Sequence, residues 1–144
     1  MEPSKPDMTA VDAVRKKMWD RDYFSQWLGI ELQEVAVGYC RAAFVVRKEM
    51  LNGHGIVQGG VLFSVADTAF AFACNAQGKL TVALEVGVNF IKPAAEGERL
   101  TIEARALHHG RKTGVYDVRV TNDKEELVCL FKGTCYTSSK NILD

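Results

Sequence analysis

Asp67 is the only Asp, Glu, Lys or Arg between Glu49 and Lys79. An isolated carboxylate in so apolar a stretch must find a hydrogen-bond partner, take up a proton or face a cleft. Ser64, one helical turn earlier, and Thr68, its neighbour, carry hydroxyls that would satisfy it with no chemical role. A desolvated carboxylate lining a pocket is, by contrast, how a general base or a nucleophile is made. Eight residues upstream, Gly59 and Gly60 open the same apolar run. At a helix start they would present unpaired N–H groups, a partial positive charge and close access to the backbone. That combination suits a developing oxyanion, although Gly-Gly before a helix also serves as a plain turn. On one helix, a rise of 1.5 Å per residue sets Gly59 and Asp67 about 12 Å apart, while a reacting carbonyl needs both within about 3 Å. Two antiparallel copies of the helix around a two-fold axis remove the conflict. If these residues act together, the active unit is predicted to be a dimer with two equivalent sites between subunits.

The helix that carries them is predicted from about Gly59 to Gln77, apolar nearly all round and therefore buried on most sides, with Gly78 as its stop. Ahead of it, MLNGHGIVQGG (50–60) reads as a loop holding four of the chain's 12 glycines. Ala10 to about Leu28 reads as one helix, with Val11, Val14, Met18 and Trp19 near the 3.6-residue period. Residues 30–37 and 39–47 read as a hairpin broken at Gly38-Tyr39. Four strands are predicted after the long helix: Thr81–Ile91, Leu100–His109, Gly114–Thr121 and Leu127–Thr137. In the first of them Val82, Leu84, Val86, Val88 and Phe90 alternate strictly, and Phe63, Phe70, Phe72 and Phe90 read first as core. Residues 1–8 and 138–144 read as loose tails of one domain spanning 1–144. The order predicts an α+β fold, a six-stranded antiparallel sheet curling around one central helix, with a second subunit covering what is left open.

Composition narrows the function. The chain has 144 residues, with 18 Lys plus Arg against 18 Asp plus Glu, 47% hydrophobic and 25% charged. Such a balance belongs to soluble globular proteins and argues against a nucleic-acid partner, which brings a basic excess. The longest apolar stretch, Gly59–Cys74, is 16 residues and contains Asp67, short of the roughly 20 needed to span a bilayer. No apolar leader segment opens the chain, so a cytoplasmic setting is expected, with no membrane partner. Cys40, Cys74, Cys129 and Cys135 form no C-x-x-C pair and read as reduced buried thiols. No cysteine lies at ligand spacing from His54, His108 or His109, so no metal site is expected.

The stretch LNGHGIVQGGVLFSVADTAFAFACNAQG (51–78) closely resembles the hotdog-fold acyl-CoA thioesterases of the PaaI, phenylacetate-pathway type, whose pattern is roughly NGxxxxxHGGxxFxLADxAxxxAxN. The runs NFIKPAAEGERL (89–100) and GRKTGVYDVRV (110–120) resemble matching family segments, and the likeness extends over about residues 20–137. It implies a hotdog fold and hydrolysis of an acyl-CoA thioester to CoA and a carboxylic acid, the acyl group being aromatic or medium-chain. Position by position it places the helix carboxylate, general base or nucleophile, on Asp67, and the oxyanion-binding N–H on Gly59 of the other subunit. Asn52 falls where the family places water or substrate, and His54 and Gly60 fall in the pocket wall. The resemblance further implies CoA contacts at Lys92, Arg111, Lys112 and Thr113, no cofactor beyond CoA as part of the substrate, and a homotetramer built from two dimers.

Two departures change the chemistry. Gln58 stands where many relatives carry histidine; an amide orients a group by hydrogen bonding but moves no proton. Ala83 stands where some eukaryotic relatives use an assisting serine. The alternatives are a hotdog-fold acyl-thioester hydratase or dehydratase, disfavoured because the central helix holds no histidine, and a non-catalytic acyl-CoA-binding subunit, disfavoured by Asp67, Gly59 and Asn52 occurring together.

Overall fold

A computed structural model describes residues 8–144, so the frayed start expected at 1–8 lies, but for Met8, outside the described residues. The elements follow in the order α1 (Ala10–Arg21), α2 (Tyr23–Trp27), β1 (Glu31–Ala36), β2 (Tyr39–Val45), α3 (Gly59–Asn75), β3 (Lys79–Phe90), β4 (Arg99–His109), β5 (Thr113–Thr121) and β6 (Leu127–Asn141). All six strands join one antiparallel sheet in the order β1-β2-β4-β5-β6-β3. This is the hotdog arrangement, with α3 packed against the sheet.

The single N-terminal helix predicted over 10–28 is two. Thr9 caps α1, its Oγ1 accepting from the Asp12 N–H at 3.1 Å. Asp22 ends α1 and caps α2: its Oδ1 accepts from the Ser25 N–H at 3.0 Å. An acidic side chain that captures a downstream N–H favours a cap over an uninterrupted helix.

Ten residues of α3 are buried, and Phe70 anchors them, meeting Tyr116 of β5 at 5.5 Å and Phe131 of β6 at 5.7 Å between ring centroids. Asn75 ties the far end of α3 to β3. Its Oδ1 accepts from the Thr81 N–H at 2.8 Å, and its Nδ2 donates to the carbonyls of Ala71 and Thr81 at 2.9 and 3.0 Å. The side chain thereby gives a carbonyl of the last helical turn a further donor and starts the next strand.

β3 departs from the alternating pattern. Its register slips between Ala83 and Glu85, leaving Leu84 unpaired opposite β6. A bulge of this kind changes which face later residues occupy. Val82, Leu84 and Phe90 are exposed while Val86 and Val88 pack partly on the core, and Phe63 is also exposed. Of the four phenylalanines read as core, only Phe70 and Phe72 are fully buried. The C-terminal residues expected to hang loose instead continue β6 to Asn141, which pairs with Lys79, and the Ile142 N–H donates to the Gly78 carbonyl at 2.8 Å.

β6 needs a glycine where it passes Phe70. A Cβ on Gly133 would stand 2.9 Å from Phe70 Cζ and 3.2 Å from Phe131 Cε1, inside the core. Gly133→Ala is expected to cost about 1–3 kcal/mol of stability by overpacking. Gly53→Ala, where a Cβ would meet nothing within 4 Å, should stay within about 0.5 kcal/mol of wild type. Guanidinium unfolding measures both, and equal midpoints would refute the packing account.

Candidate active site

The loop 51–58 builds the start of α3 from local hydrogen bonds. Asn52 accepts on Oδ1 from the His54 N–H at 2.9 Å and the Ile56 N–H at 3.3 Å, while its own N–H donates to the Ile56 carbonyl at 2.8 Å. The asparagine folds the loop on itself, and its Nδ2 amide makes no bond to any described residue. The Gln58 N–H donates to the Met50 carbonyl at 2.8 Å, which fixes where the helix begins.

At the N-terminus the two glycines diverge. Gln58 folds back over the helix, its Oε1 accepting from the Gly60 N–H at 2.6 Å. That N–H is therefore taken. The Gly59 N–H, one residue earlier, has no partner among the described residues. One preoriented donor with a helix dipole behind it is left free. The Phe90 ring explains why glycine is needed there, because a Cβ on Gly59 would lie 2.9 Å from its Cζ.

A cleft of about 550 Å³ opens in front of this N–H, and Asn52, Gln58, Gly59, Phe90 and Lys92 all line it. Four of the predicted site residues thus share one cleft: Asn52, Gln58 and Gly59 from one loop and helix start, and Lys92 from the turn after β3. Phe90, read as core, is instead the cleft's aromatic wall. The sequence signal that could have found it was its place at the end of a strand, next to the Lys92-Pro93 turn. Lys92 also forms an ion pair with Glu126. His54 is exposed and lines none of the cavities described. Gly60 sits on the other side of the Gln58 side chain, in a second groove bounded by the stacked Phe24 and Trp27 rings.

Asp67 is half-buried and accepts no hydrogen bond from any described residue. Neither hydroxyl suggested by the sequence reaches it. The Ser64 Oγ donates to the Gly60 carbonyl at 2.7 Å, and the Thr68 Oγ1 bonds to Ser25 at 2.8 Å. Burial raises the Asp67 carboxyl above its ordinary value, and the negative charge of Asp22 raises it further. The carboxyl is thus poised toward the protonated form and, once ionised, is a stronger base than an exposed aspartate.

The anticipated CoA cations do not converge within a protomer. Arg111 and Lys112 line a cavity of about 630 Å³ with Gln77, Lys79 and His109, beside the C-terminal end of α3. Lys92 lies at the N-terminal end, and 17 residues of helix separate the ends by about 25 Å. Thr113 opens β5 beside Arg111 and Lys112 and is exposed. His109 is partly buried in the same cavity, with Nδ1 2.5 Å from the Tyr116 hydroxyl and Nε2 3.1 Å from that of Thr137. Among the described residues no cluster of His, Cys, Asp and Glu could hold a metal ion, and no helix is long and apolar enough to cross a membrane. All four cysteines are buried and free, and burial pushes the Cys129 thiol up to about 11.

Residues 54–129 match the thioesterase superfamily. The acyl-coenzyme A thioesterase PaaI of Escherichia coli is 41% identical over 116 residues, covering 81% of this chain and 83% of that protein. The structure of the E. coli PaaI protein from the phenylacetic acid degradation operon superimposes with a TM-score of 0.89 at 36% identity, covering 92% of this chain and 96% of that one. A Streptococcus mutans protein solved bound to acetyl-CoA has a TM-score of 0.75 at 28% identity, over 78% of this chain and 90% of its own. A free helix-terminal N–H, an unpartnered carboxylate on the same helix and this likeness in sequence and fold lead to one assignment: the chain belongs to the thioesterase superfamily, among its PaaI-type acyl-CoA thioesterases of the hotdog fold.

Proposed function

We propose that the protein hydrolyses acyl-CoA thioesters, aromatic or medium-chain, at sites shared between two copies of the chain. The observation that carries this reading is the separation of Gly59 and Asp67 on one straight helix: each is free to act, and neither reaches the other. A second copy brings Asp67 of one subunit to the Gly59 cleft of its partner. The surface available for pairing is the β3 edge, where Val82, Leu84, Phe90 and Ile91 are exposed along a 12-residue strand with no neighbour on that side. Long, apolar, open edges of this kind are normally covered. The same pairing runs α3 antiparallel to its copy and brings one subunit's Arg111, Lys112 and Thr113 toward the partner's Lys92, forming a cationic mouth for the CoA phosphates. The resemblance extends the assembly to a tetramer of two such dimers, and four unpaired thiols suit a reducing cytoplasm.

In the proposed reaction the Gly59 N–H donates to the thioester oxygen as negative charge grows there. Asn52 Nδ2 orients the attacking water or the carbonyl. Gln58 holds the helix terminus rigid by occupying the Gly60 N–H. Ionised Asp67 takes a proton from water as the water oxygen attacks the carbonyl carbon, or attacks that carbon itself; the C–S bond then breaks and CoA leaves as the thiolate, and in the second case water hydrolyses the acyl–Asp67 anhydride to free the carboxylic acid and restore the carboxylate. The requirement for ionised Asp67 predicts an acid limb in kcat/KM with its midpoint above the ordinary aspartate range.

Thiol release from phenylacetyl-, hydroxyphenylacetyl-, benzoyl-, short-chain and long-chain CoA is expected for at least one class, falling about 100-fold or more in Asp67→Asn. Release undiminished by that substitution refutes the role of Asp67, and no release from any ester refutes hydrolysis. A stable monomer in sedimentation at micromolar concentration would remove the shared site.

The same carboxylate has a stability signature. Its folded-state pKa is raised, so ionisation costs the native state stability as pH rises through that value. Asp67→Asn should therefore melt higher than wild type at pH 8, and the difference should vanish below about pH 3, where both folded and unfolded aspartates are protonated. Calorimetry over that range reads the trend, and a variant less stable at pH 8 contradicts it.

A further inference from the structure

Asp22 does more than cap a short helix. Its Oδ2 accepts from the Ser25 Oγ at 2.6 Å while its Oδ1 accepts from the Ser25 N–H at 3.0 Å. Ser25 has one hydroxyl proton, and the carboxylate takes it. The 2.8 Å contact between Ser25 Oγ and Thr68 Oγ1 must then be donated by Thr68. The result is a directed chain from the Thr68 hydroxyl to the Ser25 hydroxyl to the Asp22 carboxylate. Ser25 is 1% exposed and Thr68 8%, so the chain is shielded from water. Capping alone needs only the bond from the Ser25 N–H. A helical hydroxyl commonly donates back to its own helix, as Ser64 does one turn earlier to the Gly60 carbonyl. Thr68 instead reaches out to a different element, and it is the residue next to Asp67.

We propose that Asp22 is a positioning residue for the thioesterase reaction, gripping the Asp67 turn of α3 through Ser25 and Thr68 and keeping a second carboxylate beside it. This rests on Asp67 being the base or nucleophile. Within the protomer the charge of Asp22, at the α1–α2 junction, raises the Asp67 carboxyl, and Asp67 in turn raises the Cys74 thiol two turns along α3. No strand residue is among the charges that shift the Asp67 carboxyl. Among the described residues Asp22 is the charge that acts on Asp67, and a like charge strengthens it as a base. The N-terminal helices, far from the reacting carbonyl in sequence, become part of the catalytic apparatus.

Two substitutions separate charge from grip. Asp22→Asn keeps a good cap acceptor and deletes the charge. Ser25→Ala keeps the charge and cuts the chain. The Asp67 carboxyl is titrated by 13C NMR in the full-length protein labelled at aspartate, with Asp67→Asn assigning its resonance, and kcat/KM is followed over the same pH range. Asp22→Asn is expected to lower the Asp67 midpoint by about half a unit or more, with the acid limb following it. Ser25→Ala is expected to lower kcat about tenfold while KM stays within about twofold. An Asp67 midpoint unmoved in Asp22→Asn overturns the proposal, as does a midpoint that moves while the acid limb stays. The activity of Asp67→Asn itself tells the two readings apart: if inactive, only the role of Asp22 is lost; if fully active, the catalytic role of Asp67 falls as well. Should Asp22→Asn not fold, the kcat of Ser25→Ala decides, and unchanged kcat overturns the grip.

Discussion

The structure turns on the cost of holding one carboxylate on an otherwise apolar helix. α3 is buried because its Leu, Val, Ala and Phe side chains release water when the sheet curls around them. Asp67 rides on that helix without a hydrogen bond from any described residue, and burial works against its charge. Removing a carboxylate so placed should relieve the fold, not harm it. A group retained at a cost to stability is the usual signature of a site selected for chemistry.

The start of α3 complements this acid. An α-helix always leaves N–H groups unpaired at its start, and most proteins occupy them with a capping side chain. Here Gln58 occupies the second and leaves the first open. The choice of glutamine is therefore structural as well as chemical: it reaches Gly60, steadies the terminus and moves no proton. Phe90 closes over Gly59 so tightly that no other residue fits without displacing the ring. Donor and acid lie on one rigid rod, too far apart to meet, and the open β3 edge beside them supplies the reason to expect a second copy.

The supports around the acid come from elements that look peripheral. Asn75 ties the end of α3 to β3, and Gly133 lets β6 pass the Phe70 ring. Asp22 and Ser25 reach Thr68 from the N-terminal helices. These contacts restrain the helix at successive points along its length, so the direction of the Asp67 side chain is set by packing remote from any substrate.

Much was legible in the order of residues. Strands and the long helix follow from hydrophobic period, and the lone charge of Asp67 and the paired glycines stand out because burial penalises one and a helix start favours the other. The resemblance to a known family added Asn52, Gln58 and Lys92, which do share the Gly59 cleft. What the chain order could not show depends on contacts between residues far apart in sequence. The break at Asp22 reflects a cap competing with helix continuation, decided by the Ser25–Thr68 contact. The slip in β3 depends on its pairing with β6, and it sets Val82 on the opposite face from Val86 and Val88 despite a perfect alternation. Arg111 and Lys112, grouped with Lys92 by the resemblance as CoA contacts, lie at the opposite end of α3 within one protomer, because an antiparallel sheet sends successive turns to alternate ends. Local period and residue type determine which segments form and which groups are reactive. Only tertiary structure decides which of them meet, because that is set by strand register and by the closing of polar bonds across the core.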